Sequence, residues 1–572
     1  MKAVRARSDE RIDEVARVAP PFALGVAFGV GQFVENFEVL AAAPNGVTHL
    51  RDMILELAVQ GRLVPQAQGE QSASDLISKA SKAMSAGRQR RTVEGLPPEP
   101  HAVPSGWVWC QPQDLGVIAP RNQAPDEAEV GFVPMPVVPT DYRQSVRPAV
   151  RRWGEIKTGY THIADGDIAV AKITPCFQNK KSCVMRGLRG RIGGGTTELL
   201  VLRLVPSVAD PNYLLLFFKS PGFISGGVER MTGTAGQQRV PVDYFAAVPL
   251  PLPPLAEQKR IVAKVDELMR LLDDLEAKQT REAGTQTRLR SAALSALMSA
   301  VVPKQVAAAG QRVAENFVVL FCKADSVGAL RGAVLSSALR GVLCPNATNM
   351  DALREVRGRK PQLRELSEDE RPYSVPSKWT WLWLADLLGS LTDGDHLPPP
   401  KAASGTPFLT IGNVSSGTLD FSQTRFVSSD YIAKLDPRRL PAKGDILYTV
   451  VGATYGRPVK VDDDRPFCVQ RHIAILRPDG SCDRDYLYLF LRSPLAYAQA
   501  TSAITGTAQP TVPLRPLRRF KVPVPPIEEQ RRIVAKVQHL MGLCDELEEK
   551  LRRAEGTAGK LVEAVVTEIV AV

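Results

Sequence analysis

The sequence predicts an α+β protein built twice over. Two mixed α/β domains are joined by two long helices that pack antiparallel as an intramolecular coiled coil, giving a pseudo-two-fold molecule. Three observations lead there. A 23-residue string recurs, reading PLAEQKRIVAKVDELMRLLDDLE from 254 and PIEEQRRIVAKVQHLMGLCDELE from 526, with 15 positions identical. Apolar residues within and beyond each copy keep a 4-3 spacing. Short β-rich runs broken by Gly and Pro fill the stretch ahead of each copy. The offset of 272 residues between 254 and 526 far exceeds the roughly 20–50 residues of a solenoid repeat, so it marks two tandem units.

Residues 1–33 stand outside the repetition as an N-terminal extension. Pro20, Pro21, Gly25, Gly29 and Gly31 interrupt its apolar run, and Asp9, Glu10, Asp13 and Glu14 precede it. That suits neither a membrane span nor a secretory signal. The region 34–104 opens on Glu35-Asn36-Phe37, which returns as Glu315-Asn316-Phe317 in the region 304–376. Leu50-Arg51, Gly61 and Pro65 return as Leu330-Arg331, Gly341 and Pro345. Residues 47–66 and 327–345 read as short amphipathic helices, and 85–104 and 349–376 as polar linkers.

The domains occupy 105–250 and 377–522. Val103-Pro104-Ser105-x-Trp107-x-Trp109 leads into the first, and Val375-Pro376-Ser377-x-Trp379-x-Trp381 into the second. Strands are expected at Ile168–Val170, Leu199–Leu202, Ile446–Val451 and Ile473–Leu476, and helices at Tyr213–Lys219 and Tyr486–Arg492. Gly166-Asp167-Ile168 matches Gly444-Asp445-Ile446. Thr232-Gly233-Thr234-Ala235 matches Thr505-Gly506-Thr507-Ala508.

The long helices lie in 251–303 and 523–572. Each starts after a proline pair, where a missing N–H costs nothing. Glu257 and Glu528 in the first turns suit the helix dipole. Ile533, Val537, Leu540, Cys544, Leu547, Leu551, Ala554, Ala558, Leu561 and Val565 form a heptad seam. In the first copy Ile261, Val265, Leu268, Leu272 and Leu275 begin one. It weakens through Gln279, Glu282 and Gln286 and recovers at Leu289 and Ala293. About 40 residues make a rod of roughly 60 Å.

Lys and Arg outnumber Asp and Glu by 72 to 61, and the net charge of +11 points mildly to an anionic partner. The 8 cysteines contain no Cys-x-x-Cys pair, which favours reduced thiols in the cytoplasm over disulfides or a zinc knuckle. Catalytic signatures are missing. The nearest approach to a methyltransferase Asn/Asp-Pro-Pro-aromatic loop is Ala19-Pro20-Pro21-Phe22. Gly556-Thr557-Ala558-Gly559-Lys560 has the wrong spacing for a phosphate-binding loop. The expectation is no catalytic site, no metal and no cofactor of its own.

Taken together, the tandem halves resemble the specificity (S) subunit of type I restriction–modification systems. The carrying features are the Pro-Pro-x-x-Glu-Gln-x-x-Ile-Val helix starts at 253–262 and 525–534 and the Val-Pro-x-x-Trp-x-Trp entrances. The Gly-Asp-Ile elements, the Gly-Thr-Ala turns and the segment from Glu35 to Pro65 add to them. The likeness spans nearly all of 35–572; residues 1–33 depart from it. It implies two target-recognition domains, each reading one half of a split, asymmetric site in double-stranded DNA. The helices would set the spacing and dock two methyltransferase (M) subunits, with restriction (R) subunits in the full complex. S-adenosylmethionine, ATP and Mg2+ would be used by those partners. Half-sites about one helical turn apart, ~34 Å, call for a rigid spacer of that length.

Candidate DNA contacts follow from charge and donor chemistry. Phosphate contacts are expected from Arg151, Arg152, Lys172, Lys180, Lys181, Arg457, Arg471, Arg518 and Arg519. A solvated basic face is the plainer reading of any one of them. Base readout needs bidentate donors on defined turns, which Thr234, Gln237, Gln238 and Arg239 supply in one half and Thr507, Gln509 and Thr511 in the other. His396 sits in a Thr-Asp-Gly-Asp-His loop typical of the family. Gln258, Arg260, Gln530 and Arg532, repeated identities off the seam, are the candidate contacts to M subunits; local capping or pairing is the competing role. The rival to this whole reading is a coiled-coil scaffold for protein partners, without DNA readout.

Overall fold

The computed structural model describes residues 37–571, except 68, 71, 85–89, 96–98, 100, 235, 301–302, 345–350, 396–401 and 507–508. The extension 1–33, His396 and Thr507 therefore lie outside the described residues. The chain divides into two compact units. One holds the described residues up to Glu282 together with Glu555 onward; the other holds Ala283–Ala554.

Each unit builds its domain on one plan. The Trp-x-Trp strand pairs antiparallel with the proline-rich strand that leads out to the long helix. Val108–Cys110 lies on Leu250–Leu252, and Thr380–Trp383 on Lys521–Val524. The registers correspond, Val108 facing Leu252 and Thr380 facing Val524. Chain entrance and exit are thus zipped side by side. Proline is tolerated because a two-stranded ribbon leaves an outer edge where no N–H is needed. The carbonyls of Pro251 and Pro523 each accept a 2.6 Å hydrogen bond from a buried tyrosine, Tyr213 and Tyr486.

A four-stranded antiparallel sheet forms the centre of each domain. In the first the order is Gly116–Ile118, Leu199–Leu204, Ile168–Ala171, Ser182–Val184. In the second it is Leu388–Asp393, Ile473–Pro478, Ile446–Thr449, Pro458–Lys460. Alternate residues enter different cores, as the period of two requires. Ile168, Val170, Leu200 and Leu202 join the main core, while Ala169, Leu199 and Val201 join a satellite. Ile446, Tyr448, Ala474 and Leu476 do the same in the second domain, against Leu447, Ile473 and Ile475. A second sheet with one parallel pair covers the satellite. It has four strands in the first domain and three in the second.

The short helices run Gly46–Val59 and Val327–Leu339, ending near Gly61 and Gly341 at φ +74° and +75°. A side chain there would strike Pro104 Cγ at 2.4 Å or Pro376 Cγ at 2.5 Å, so conformation and space both demand glycine. Two helices were not expected: Ala73–Ala83, ahead of the first linker, and Ala352–Arg359, within the second, capped by the Ser72 and Asp351 side chains. Asp351 marks its helix start in the sequence, but few apolar residues follow it.

The long helices are Leu255–Ser299 and Ile527–Ala571, 45 residues each. Each unit holds the start of one and the end of the other, so they run in opposite senses. In the first unit Ile261, Val265, Met269 and Leu272 share a core with Val562 and Val565. In the second unit Cys544, Leu547 and Leu551 pack with Val327, and Leu294 packs with Leu320 and Phe321; Phe317 and Leu330 touch both groups. Arg51 bonds Asp273 (2.8 Å) and Glu276 (2.7 Å); Arg331 bonds Asp545 and Glu548, both at 2.5 Å. One expectation is corrected. The first seam does not recover at Leu289, which is 52% exposed, but at Ala293 and Leu294, which pack together with Leu320 and Phe321, because continuous helix rotates the apolar face past 289. No described helix is long and apolar enough to cross a membrane.

Candidate nucleic-acid interface

The Gly-Asp-Ile motif starts the site. Gly166 and Gly444 turn with φ +92° and +97°, and the aspartate that follows is buried. Asp167 accepts from the Ala164 N–H (2.7 Å) and from Arg203; Asp445 accepts from the Ala442 N–H (2.9 Å) and from Arg477. Burial raises the Asp167 carboxyl above the usual range, against the pull of Arg203. The motif therefore sets the start of the central strand and clamps it to its neighbour.

Three segments converge where that strand ends. In the first domain the Lys172 N–H donates to Glu198 O (2.9 Å), Thr174 N–H to Gln238 O (2.9 Å) and Val240 N–H to Lys172 O (2.8 Å). In the second, Val450 N–H donates to His472 O (3.0 Å), Gly452 N–H to Pro510 O (2.9 Å) and Val512 N–H to Val450 O (2.8 Å). The same three bonds hold the Gly-Thr turn in both places. Bridges Thr232–Arg239 and Thr505–Thr511 close the turns, and Gly233 and Gly506 take positive φ within them. Thr234, Gln237 and Gln509 stand exposed on the turns.

The surroundings differ. In the first domain Glu198 grips Arg239 through both of its oxygens, one at 2.7 Å, and also faces Lys172. The Arg239 guanidinium holds the Glu198 carboxyl below the usual range. Arg239 is therefore tied down, and Gln238 is pinned by its backbone to Thr174. In the second domain Arg471 is exposed beside His472 (3.3 Å), and burial and Arg471 together lower that imidazole's affinity for a proton. Exposed Arg457 donates to Ser415 O (2.6 Å), and the Thr511 hydroxyl donates to Gln509 O (3.2 Å).

The other candidates scatter. Arg151 and Arg152 are exposed on the outer strand Ala149–Arg152, Arg152 facing Glu127 at 3.3 Å. Lys180 is paired with Asp52, and Lys181 donates to Met135 O (3.1 Å). Arg518 donates to Leu391 O (2.7 Å), and Arg519 lies 5.2 Å over Trp383. Gln258 and Gln530 are fully buried. Each accepts from the N–H of its own domain's Asp210 or Asp483 (both 2.7 Å) and donates to Pro253 O or Pro525 O. They cannot meet a partner's surface, because both ends of the amide are used inside the domain. Arg260 is paired with Glu70; Arg532 is exposed. Glu198 was not singled out in the sequence, since its partner lies 41 residues on and no local pattern joins them. Among the described residues no group of three or more His, Cys, Asp or Glu could hold a metal ion.

Residues 387–554 match the family model of the type I restriction modification DNA specificity domain. The specificity subunit of the type I restriction enzyme EcoAI of Escherichia coli is 31% identical over 552 residues, covering 91% of this chain and 93% of that protein. The EcoEI specificity subunit of Escherichia coli is 30% identical over 555 residues, with the same coverage of 91% and 93%. A solved chain, from a study of complex assembly and conformational transition of the type I R-M system, aligns at a TM-score of 0.48 and 20% identity over 82% of this chain and 99% of that one. With likeness running along nine-tenths of both sequences, across both copies of the repeated plan, the chain belongs to the specificity subunits of type I restriction enzymes: a DNA-specificity subunit, not a catalytic one.

Proposed function

We propose that each domain reads one half of a bipartite, asymmetric site in double-stranded DNA, while the long helices set the spacing and dock two methyltransferase subunits. Restriction subunits join in the full cytoplasmic complex. S-adenosylmethionine, ATP and Mg2+ serve those partners and not this chain. The observation that carries the reading is the pair of exposed turns, held by the same three backbone bonds yet bearing different side chains. Two unlike readers on one frame suit an asymmetric site, whereas a symmetric dimer would demand a palindrome.

In this reading Thr234 and Gln237 address bases in one half-site and Gln509 and Thr511 in the other, Gln being suited to adenine. Arg151, Arg152, Arg457 and Arg471 neutralise phosphates. Lys172, Lys180, Lys181, Gln238, Arg239, Arg518 and Arg519 shape the loops that carry them. His396 and Thr507 are further candidate DNA contacts, and Arg260 and Arg532 mark the face offered to the methyltransferase. The test is selection of random duplexes by the chain co-expressed with the methyltransferase of its neighbouring reading frame. Gln237→Ala should relax preference in one half-site and Gln509→Ala in the other. Binding without any sequence preference would sink the reading and favour a protein scaffold.

A further inference from the structure

The second domain presents an exposed aromatic stack beside its reading turn, which the first domain does not repeat at the equivalent place. Tyr455 and Tyr497 stack with ring centroids 5.3 Å apart and planes 8° from parallel. Tyr497 is 51% exposed, so its outer side is not used by the core. The pair is held rigidly. Tyr455 sits in a tight loop between Gly452 and Gly456, both at φ +84°. A side chain on Gly456 would come within 3.1 Å of the Tyr497 ring. Thr449 Oγ1 accepts from the Arg457 N–H (3.0 Å) to close the loop, and the Tyr455 hydroxyl bonds Thr501 Oγ1 (3.0 Å).

This loop is the one whose Gly452 N–H bonds Pro510 O in the reading turn, and it ends at exposed Arg457. The rings therefore stand next to both the turn and a phosphate-seeking cation. The first domain differs at both equivalent places. Phe177 is fully buried, 5.7 Å from Phe223, and Ile224 is packed against the main core. The scaffold does not need an exposed pair here, since its twin does without one.

A flat, stiff, apolar ring loses little entropy on binding. The apolar group a duplex offers on its major-groove floor is the thymine C5-methyl. We infer that Tyr497, backed by Tyr455, is a specificity-determining contact to a thymine methyl in the half-site read by residues 377–522. The inference rests on the DNA-reading assignment above.

The experiment uses the full chain in complex with its co-expressed methyltransferase. The probe is the duplex that complex selects, with each thymine replaced singly by uracil, which removes the methyl and nothing else. At one thymine, uracil should weaken wild-type binding about fourfold, the value of one buried methyl. Tyr497→Phe should behave as wild type. Tyr497→Ala should bind the thymine duplex as weakly as wild type binds the uracil one, and be indifferent to the replacement. Tyr455→Ala should lose the same discrimination. Unchanged reading of the other half-site reports that each variant is folded. If wild type tolerates uracil everywhere, or if the penalty persists in Tyr497→Ala, the inference is overturned while DNA reading stands. A wild-type complex that selects no site overturns both.

Discussion

Several buried polar bonds repeat from one domain to the other, while the surroundings of the reading turns differ. Asp167 with Arg203 repeats as Asp445 with Arg477, and Gln258 on Asp210 repeats as Gln530 on Asp483. Arg51, ion-paired to the first long helix, repeats as Arg331, ion-paired to the second. Each of these bonds fixes backbone or helix position, and an unmet buried partner is costly, so drift is resisted. Elsewhere the halves diverge, at one buried bond included. The Glu198–Arg239 ion pair has no counterpart, because His472 and Thr511 stand at the equivalent places. Lys219 is buried, donating to the carbonyls of Thr140 (2.7 Å) and Lys180 (2.6 Å). Its counterpart Arg492 is exposed over Tyr488. The frame is copied through its hydrogen bonds, and the outward surface is free to specialise.

The largest expected break in the symmetry is at Lys219. Burial lowers its pKa to about 7 in the folded chain, well below the roughly 10.4 of an unfolded lysine. Below pH 7 both states are charged and the fold bears the full cost of burying the ammonium. Between pH 7 and about 10.4 the unfolded state holds more protons, so stability rises with pH. Lys219→Met should abolish that rise. Its destabilisation relative to wild type then grows with pH, by at most about 1.4 kcal/mol per unit. Urea unfolding from pH 6 to 9.5 measures it, and Arg492→Met should show no such slope.

Next come Asp167→Ala and Asp445→Ala, each leaving an arginine and a backbone N–H without their acceptor. Each should cost about 2–3 kcal/mol, because the partner arginine is itself partly exposed. Costs that differ by more than about 1 kcal/mol would show that the repeated frame is not energetically equivalent. Tyr213→Phe and Tyr486→Phe should follow at about 1 kcal/mol each, by loss of one buried hydrogen bond. The smallest effect is at the reading surface. Glu198→Gln should free Arg239 and steepen the salt dependence of DNA binding by about 0.9 in log–log slope, one phosphate contact. An unchanged slope would mean that Arg239 does not reach the backbone even when released.

The repeat and the long helices were legible because their signals are local: a 4-3 spacing, a proline pair, an identical string. The central strands were legible for the same reason, since Ile168–Val170 and Ile473–Leu476 are β-branched runs ended by turn residues. The roles of Gln258 and Gln530 were not. A repeated glutamine off the seam marks importance, but the same repetition results from a buried bond to its own domain, and only the helix's orientation separates the two. The Glu198–Arg239 pair and the stacked Tyr455 and Tyr497 join positions 41 and 42 residues apart, and no periodicity links such pairs. The turn was found from its glycines, whereas the company it keeps needed the fold.

The exchange of helix ends between units has a consequence for synthesis. The first unit counts Val562 and Val565 among its core residues, yet the rest of it is complete by Glu282. A ribosome adding about 5–20 residues per second needs roughly 15–55 s more to deliver that last piece. For that interval the first core is without Val562 and Val565, and the emerging polypeptide is most open to chaperone capture or self-association just when its first domain has otherwise folded.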